Sequence, residues 1–251
     1  MEQTGRLDRG DGVALNWAWL PGRAPTVVFL SGFRSDMTGD KAIALRDWCA
    51  AEGRAMLRFD YSGHGGSDGR FAEGTIGEWA EDARRAVASL TDGPLVLVGS
   101  SMGGWIALLV ALAMPQRVAA LIGVAAAPDF TEELIWPALP APARETLLRD
   151  GVLPLPSAYG EPTPITMALI EDGRRHLLLG GEIALDCPVR LLHGQQDPDV
   201  PWETSLRLAG RLRSSDVQVV LVKDGEHRLS RPQDLALLVR TVAALGADAD
   251  Q

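Results

Sequence analysis

Leu95-Val96-Leu97-Val98-Gly99-Ser100-Ser101-Met102-Gly103-Gly104-Trp105 packs three pieces of local structure into one short stretch. Leu95–Val98 is apolar without alternation, the pattern of a strand covered on both faces in a parallel sheet. The apolar segment Ile106–Ala113 that follows has helical period. Between them Gly99-Ser100-Ser101-Met102-Gly103 fits G-x-S-x-G, with the serine on a strained strand-to-helix turn. Residues two before and two after such a serine must be small to avoid clashes. The turn lifts the Ser101 hydroxyl above the sheet beside a helix N-terminus, where the Met102 N–H is placed to stabilise an oxyanion. A dinucleotide loop would need G-x-G-x-x-G, and Gly99–Gly104 lacks the middle glycine. Gly63-His64-Gly65-Gly66-Ser67-Asp68-Gly69 also misses it, with Asp68 where the last glycine should stand. No cofactor is therefore expected.

On either side of this stretch, short apolar runs alternate with segments of helical period. Thr26–Leu30, Ala55–Phe59, Val118–Val124, Val189–Leu192 and Val217–Val222 read as strands, and Gly12–Leu20 as an added antiparallel one. Ala42–Trp48, Trp202–Leu212 and Leu235–Leu245 carry helical stripes, as do Ile76, Trp79, Ala83, Val87 and Leu90. Thr75 and Glu78 give that last helix a capping-box start. The rhythm predicts a parallel α/β sheet with helices on both faces. It breaks from about Pro128 to Asp186, a proline-rich segment with no clear strand, read as a lid or cap insert. The chain is otherwise expected to form one domain over residues 1–251.

A strand–elbow–helix unit in a mostly parallel sheet resembles the α/β-hydrolase fold, in which the order is Ser, acid, His. Of the four histidines, His227 alone follows the last strand, in Lys223-Asp224-Gly225-Glu226-His227, and is the candidate base. His64 and His176 precede the acid, and His193 is placed to brace a loop through a hydrogen bond. The acid should follow Val189–Leu192. There Asp197 falls on the carboxylate position of H-G-x-x-D-x-x-V-P and is preferred to Asp199, with Asp129 a weaker third choice. The second oxyanion donor should come from Ser31-Gly32-Phe33-Arg34, as the Phe33 N–H, with Gly32 allowing close approach of substrate.

Further runs bear on the family. Arg58-Phe59-Asp60-Tyr61-Ser62-Gly63, Val98–Trp105, Ala120–Ala125, Cys187–Gly194, Val200-Pro201-Trp202 and Asp224–Arg228 resemble the mitochondrial palmitoyl-protein thioesterase branch of abhydrolase-domain proteins. The resemblance runs from Thr26 to Leu245 and is weakest in the insert. It implies removal of S-linked fatty acyl groups from protein cysteines and cleavage of acyl-glucuronide esters, with Ser101, Asp197 and His227 as catalytic residues. A general carboxylesterase or lipase-like activity is the alternative. A cofactor-free haloperoxidase or C–C hydrolase would use the same three residues. A non-catalytic ligand-binding protein on this scaffold would usually have lost one of them.

In the insert, Trp136, Leu139 and Met167 either line a slot for an acyl chain or dock the insert onto the sheet, since each buried methylene is worth about 0.8 kcal/mol in either role. Arg174-Arg175-His176 is read as a solvated helix face before it is read as a carboxylate site. The formal net charge of -9 opposes nucleic acid and anionic lipid surfaces as partners, and leaves a small-molecule or S-acylated protein substrate. Cys49 and Cys187 do not make a disulfide framework or, with so few histidines, a metal site. No apolar run approaches the roughly 20 residues of a membrane span. The short charged N-terminus lacks a signal or transit pattern, so a cytoplasmic protein is expected. The sequence sets no oligomeric state.

Overall fold

The computed structural model describes residues 1–157 and 160–248. Strands β1 (Gln3–Asp8) and β2 (Ala14–Leu20) form an antiparallel hairpin, and β2 continues antiparallel onto β4 (Arg54–Phe59). From β4 the sheet runs parallel through β3 (Arg23–Leu30), β5 (Leu95–Ser100), β6 (Val118–Val124), β9 (Val189–Gly194) and β10 (Val217–Val222). The spatial order is β1-β2-β4-β3-β5-β6-β9-β10. The chain leaves β3 for β4 on one side and returns to β5 on the other. This reversal opens a crevice at the carboxyl ends of β3 and β5, where α/β sheets bind their ligands.

Each inner strand is buried on both faces, which is why its apolar run is continuous. Val27 and Phe29 face one layer, with Leu45 and Cys49 of α1 (Asp40–Glu52) and Leu238 and Val242 of α8 (Pro232–Asp248). Val28 and Leu30 face the other, with Trp79 of α2 (Ile76–Leu90), Trp105 of α3 (Met102–Ala113) and Leu208 of α7 (Glu203–Arg211). The α2 start is capped by Thr75, whose Oγ1 accepts from the Glu78 N–H at 3.3 Å. The Glu78 carboxylate does not close the box; it pairs with Arg9 at 2.9 Å. Strand β1 escaped the sequence reading because it is a half-exposed edge with little apolar content.

Between β6 and β9 lie a π-helical turn (Thr131–Ile135), the short α4 (Trp136–Ala138), α5 (Ala141–Asp150), β7 (Val152–Ser157), β8 (Gly160–Thr166) and α6 (Met167–Arg175). The expectation of no strand here is corrected: β7 and β8 form an antiparallel hairpin of their own. Its prolines hid it, yet Pro154 faces Pro164 across the ladder, an arrangement that needs no N–H from either. The insert is tied down at both ends by Asp129, whose carboxylate accepts from the N–H groups of Leu178 and Leu179, each at 2.8 Å. Asp172 accepts from the Gly77 N–H at 2.6 Å, and the Trp105 indole donates to the His176 carbonyl at 3.1 Å. No helix among the described residues is long and apolar enough to cross a membrane.

Candidate active site

Ser101 joins β5 to α3 with φ 55° and ψ −121°, a positive-φ conformation that costs a non-glycine residue of order 1–3 kcal/mol. The glycines around it are required by contact. A Cβ on Gly99 would lie 2.2 Å from the Gly103 carbonyl oxygen, and one on Gly103 would lie 2.0 Å from that of Leu30. Gly104 is equally constrained, since its Cβ would meet that of Ala126 at 2.5 Å. The Ser101 N–H donates to the Val124 carbonyl and its own carbonyl accepts from Gly104 and Ala127, so the strained turn is held from β6 as well.

The loop after β10 brings His227 over the serine. The Ser101 hydroxyl donates to His227 Nε2 at 3.1 Å, and His227 Nδ1 donates to Asp197 Oδ2 at 2.7 Å. His227 lies in a turn closed by the Leu229 N–H on the Glu226 carbonyl at 3.3 Å, and Leu229 takes φ 42°. The next carbonyl, that of Arg228, is held by the Lys41 ammonium of α1 at 2.5 Å.

Asp197 stands in the loop after β9 with its side chain fully buried. Its Oδ1 accepts from the N–H groups of Asp199 and Val200 at 2.8 and 2.9 Å. Its Oδ2 accepts from His227 and also from His193 Nε2 at 3.1 Å. Burial alone would raise this carboxyl, but the hydrogen bonds from His193, His227 and Val200 outweigh it and hold the group well below the usual carboxylate range. Asp199 contributes its backbone N–H and keeps an exposed side chain. Asp129, the third choice as acid, anchors the insert instead.

The remaining histidines lie away from this chain of bonds. His64 is buried against Tyr61, Phe71 and Trp79, donates Nδ1–H to the Ser62 carbonyl at 3.2 Å, and is shifted downward by burial toward the neutral form. His176 caps α6 through the Asp172 carbonyl at 2.9 Å.

Met102 is the first residue of α3, so its N–H has no partner within the helix and is free to serve a ligand. Gly32 lies against the elbow: a Cβ there would sit 3.4 Å from that of Ser101. The neighbouring Phe33 ring is wedged among Phe71, Phe130 and Trp79 at centroid distances of 4.9, 5.5 and 5.8 Å, which fixes the backbone that carries its N–H.

In the insert, Leu139 is 5% exposed and belongs to the core, so it docks the insert. Trp136 is half-buried between the guanidinium groups of Arg144 and Arg174, at 5.3 and 4.8 Å from its ring. Met167 is half-buried at the start of α6. Arg174 pairs with Glu132 and Arg175 with Asp172, both at 2.6 Å, so neither is poised for a ligand carboxylate.

Two cavities lie outside the triad geometry. The larger, about 480 Å³, opens beside Val118, Cys187 and Arg213 at the far ends of β6 and β9. The smaller, about 200 Å³, lies against Arg34, Asp36, His64 and Phe71 next to the Phe33 loop. Among the described residues, Asp197, Asp199 and His227 offer metal-ligand atoms within 4.8 Å of one another, but the facing atoms of Asp197 and His227 are already joined by a hydrogen bond.

The sequence singled out His193 as a loop brace but gave no sign that it reaches the acid. It gave none for Lys41, which meets the His227 turn across a separation of 187 residues.

Comparison with known proteins fits this geometry. The family described as serine aminopeptidase, S33, matches residues 23–152. Palmitoyl-protein thioesterase ABHD10, mitochondrial, from Bos taurus is 42% identical over 94% of this chain and 78% of its own length, and the Homo sapiens protein gives the same figures. The structure of alpha/beta hydrolase domain-containing protein 10 from mouse superposes with a TM-score of 0.91 at 39% identity, covering 99% of this chain and 100% of that one. A putative hydrolase from Agrobacterium vitis S4 gives 0.93 at 40% identity, covering 98% of both chains. The thioesterase relatives are named mitochondrial, which overturns the cytoplasmic expectation drawn from the first residues. The chain belongs to the serine aminopeptidase S33 family of α/β-hydrolases, in the branch that contains palmitoyl-protein thioesterase ABHD10.

Proposed function

We propose that this hydrolase cleaves acyl thioesters and esters through an acyl-serine intermediate, with Ser101 as nucleophile, His227 as general base and acid, and Asp197 as the acid that orients it. The observation that carries the reading is the unbroken chain from Asp197 Oδ2 through both ring nitrogens of His227 to Ser101 Oγ, with links of 2.7 and 3.1 Å. Ser101 Oγ attacks the acyl carbonyl as His227 Nε2 takes its proton. The N–H groups of Met102 and Phe33 receive the oxyanion. Collapse expels the thiol or alcohol, which takes the proton back from His227. Water, deprotonated by His227, then attacks the acyl-serine, and the carboxylic acid leaves with Ser101 restored.

The thioesterase relatives favour a long-chain S-acyl group on a protein cysteine as the substrate, with small acyl esters as surrogates. The net charge of -9 speaks against nucleic acid as a partner. Acyl glucuronides are a weaker reading, because their carboxylate would have to displace Glu132 from Arg174 or Asp172 from Arg175. A panel of p-nitrophenyl esters and acyl thioesters of graded chain length tests the proposal. Turnover with thioesters, labelling by a fluorophosphonate, and a fall of roughly 10⁴- to 10⁶-fold in Ser101→Ala are expected. Intact protein that resists the fluorophosphonate, or a Ser101→Ala variant that still turns over, would refute it.

A further inference from the structure

His193 is the last side chain of β9 before Gly194, fully buried, and both of its ring nitrogens are engaged. Nε2 faces two acceptors, Asp197 Oδ2 and the Val200 carbonyl, each at 3.1 Å, so the hydrogen belongs on that nitrogen. Nδ1 meets the buried hydroxyl of Ser205 on α7 at 2.7 Å. An acceptor pair on one side and a hydroxyl on the other select a single tautomer, the one that donates to the acid.

We infer that His193 is a positioning residue for the hydrolytic reaction, holding Asp197 Oδ2 against His227. The inference rests on the triad reading above. The two backbone amides on Oδ1 fix that oxygen alone and leave the carboxylate free to swing about it. His193 supplies the missing constraint, because it meets the same oxygen that receives His227 Nδ1. It also donates to the negative charge of Asp197 where both side chains are fully buried, which favours the ionised carboxylate. Among the described residues, the exposed Asp199 carboxylate lies within 4.8 Å of ligand atoms of Asp197 and His227. The hydrogen bonds of His193 go to Asp197, Val200 and Ser205 and not to Ser101, so it acts on the reaction through Asp197.

The test uses the purified 251-residue chain with a p-nitrophenyl ester and an acyl thioester. His193→Phe keeps a planar ring and removes the donor, and His193→Gln keeps an N–H near the position of Nε2. Loss of a hydrogen bond to a charged group predicts a fall in kcat of about 10- to 100-fold for His193→Phe, with KM within about twofold, and rescue to within about threefold of the native rate by His193→Gln. In an Asp197→Asn background the same His193→Phe change should cost less than about twofold, because its route to the chemistry is already cut. A simple packing role would multiply equally in both backgrounds. Ser205→Ala, which frees the tautomer without touching the acid, is the second probe if His193→Phe fails to fold, and should lower kcat about threefold or more at unchanged KM. Native kcat in His193→Phe, equal losses in both backgrounds, or native kcat in Ser205→Ala where His193→Phe does not fold would overturn the inference. Ser101→Ala and His227→Ala are run alongside: if these still turn over, the triad reading is what has failed.

Discussion

Gly103→Ala probes how the elbow is held. The new methyl would lie 2.0 Å from the Leu30 carbonyl oxygen and 2.5 Å from that of Ser31. Ordinary contact begins at 3.4 Å, so the first approach is about 1.4 Å too close. Both obstacles are backbone, at the end of a strand flanked on each side by others, and neither can rotate away. Overpacking costs about 1–3 kcal/mol, and the fixed surroundings place this case near 3. At about 2–4 °C per kcal/mol for a chain of this size, Tm should fall about 6–12 °C. If α3 recoils to relieve the clash, Ser101 moves with it, and a misplacement of about 1 Å costs on the order of 10²-fold in rate. Two other glycines serve as controls. Gly32→Ala meets the Ser100 carbonyl at 3.3 Å, only slightly inside ordinary contact, so Tm should stay within about 2 °C while the methyl beside Ser101 lowers kcat/KM. Gly210→Ala projects into open space from α7 and should stabilise by about 0.5–1 kcal/mol. Thermal unfolding by circular dichroism with p-nitrophenyl ester turnover reads all three. A Gly103→Ala protein with native Tm, or a Gly32→Ala protein destabilised as severely, would refute the argument.

Asp197→Asn should lower kcat by roughly 10⁴-fold by favouring the wrong tautomer of His227, whereas Asp199→Asn, which alters only an exposed side chain, should stay within about threefold; equal losses in ester assays would mean the acid is misassigned. Burial lowers the Lys41 ammonium from 10.5 to about 8. Between those values the unfolded chain binds more protons than the native one, so this group adds stability as pH rises from about 8 to 10.5, and below about 8 its buried charge opposes folding in full. Urea unfolding at pH 7, 8.5 and 10 reads this as a difference: the stability of the native chain relative to Lys41→Met should rise across that range, and a constant difference would exclude it.

What the sequence discloses follows from which patterns survive in one dimension. Strands β3, β5, β6 and β9 are buried on both faces, so their apolar runs are continuous and their ends were placed closely. Strand β1 is a polar edge, and β7–β8 carries prolines at positions where a two-stranded ribbon tolerates them; neither signal separates a strand from a loop. Ser101 was legible because its turn demands glycine at fixed spacings. His227 and Asp197 were legible through the order of the strands that deliver them. The link from His193 to Asp197 was not, because it depends on the loop folding back over its own strand end. Leu139 and Trp136 were ambiguous for a similar reason: an apolar residue in an insert looks alike whether it meets substrate or core, and burial decides for Leu139. The cellular compartment was misjudged from the N-terminal residues alone.

The three groups of the site are fixed by three unlike means, and this bears on how the site fails. Ser101 is held in an unfavourable conformation by backbone contact with β3 and β6, with no side chain to remove. Asp197 is held by four donors, two of which are backbone amides, so losing one side chain weakens its orientation without releasing it. His227 is held by its turn, by the Lys41 contact on the following carbonyl, and by Ser101 and the acid, while Gln196 and Arg231 bind the loop ahead of it at the Gly225 and Asp224 carbonyls and Leu229 is buried beside it in the left-handed region. The elbow should therefore fail by unfolding and the acid by graded loss of rate. The base rides on a loop beyond the end of β10, so displacements of residues 223–229 should reach the chemistry before the sheet is disturbed.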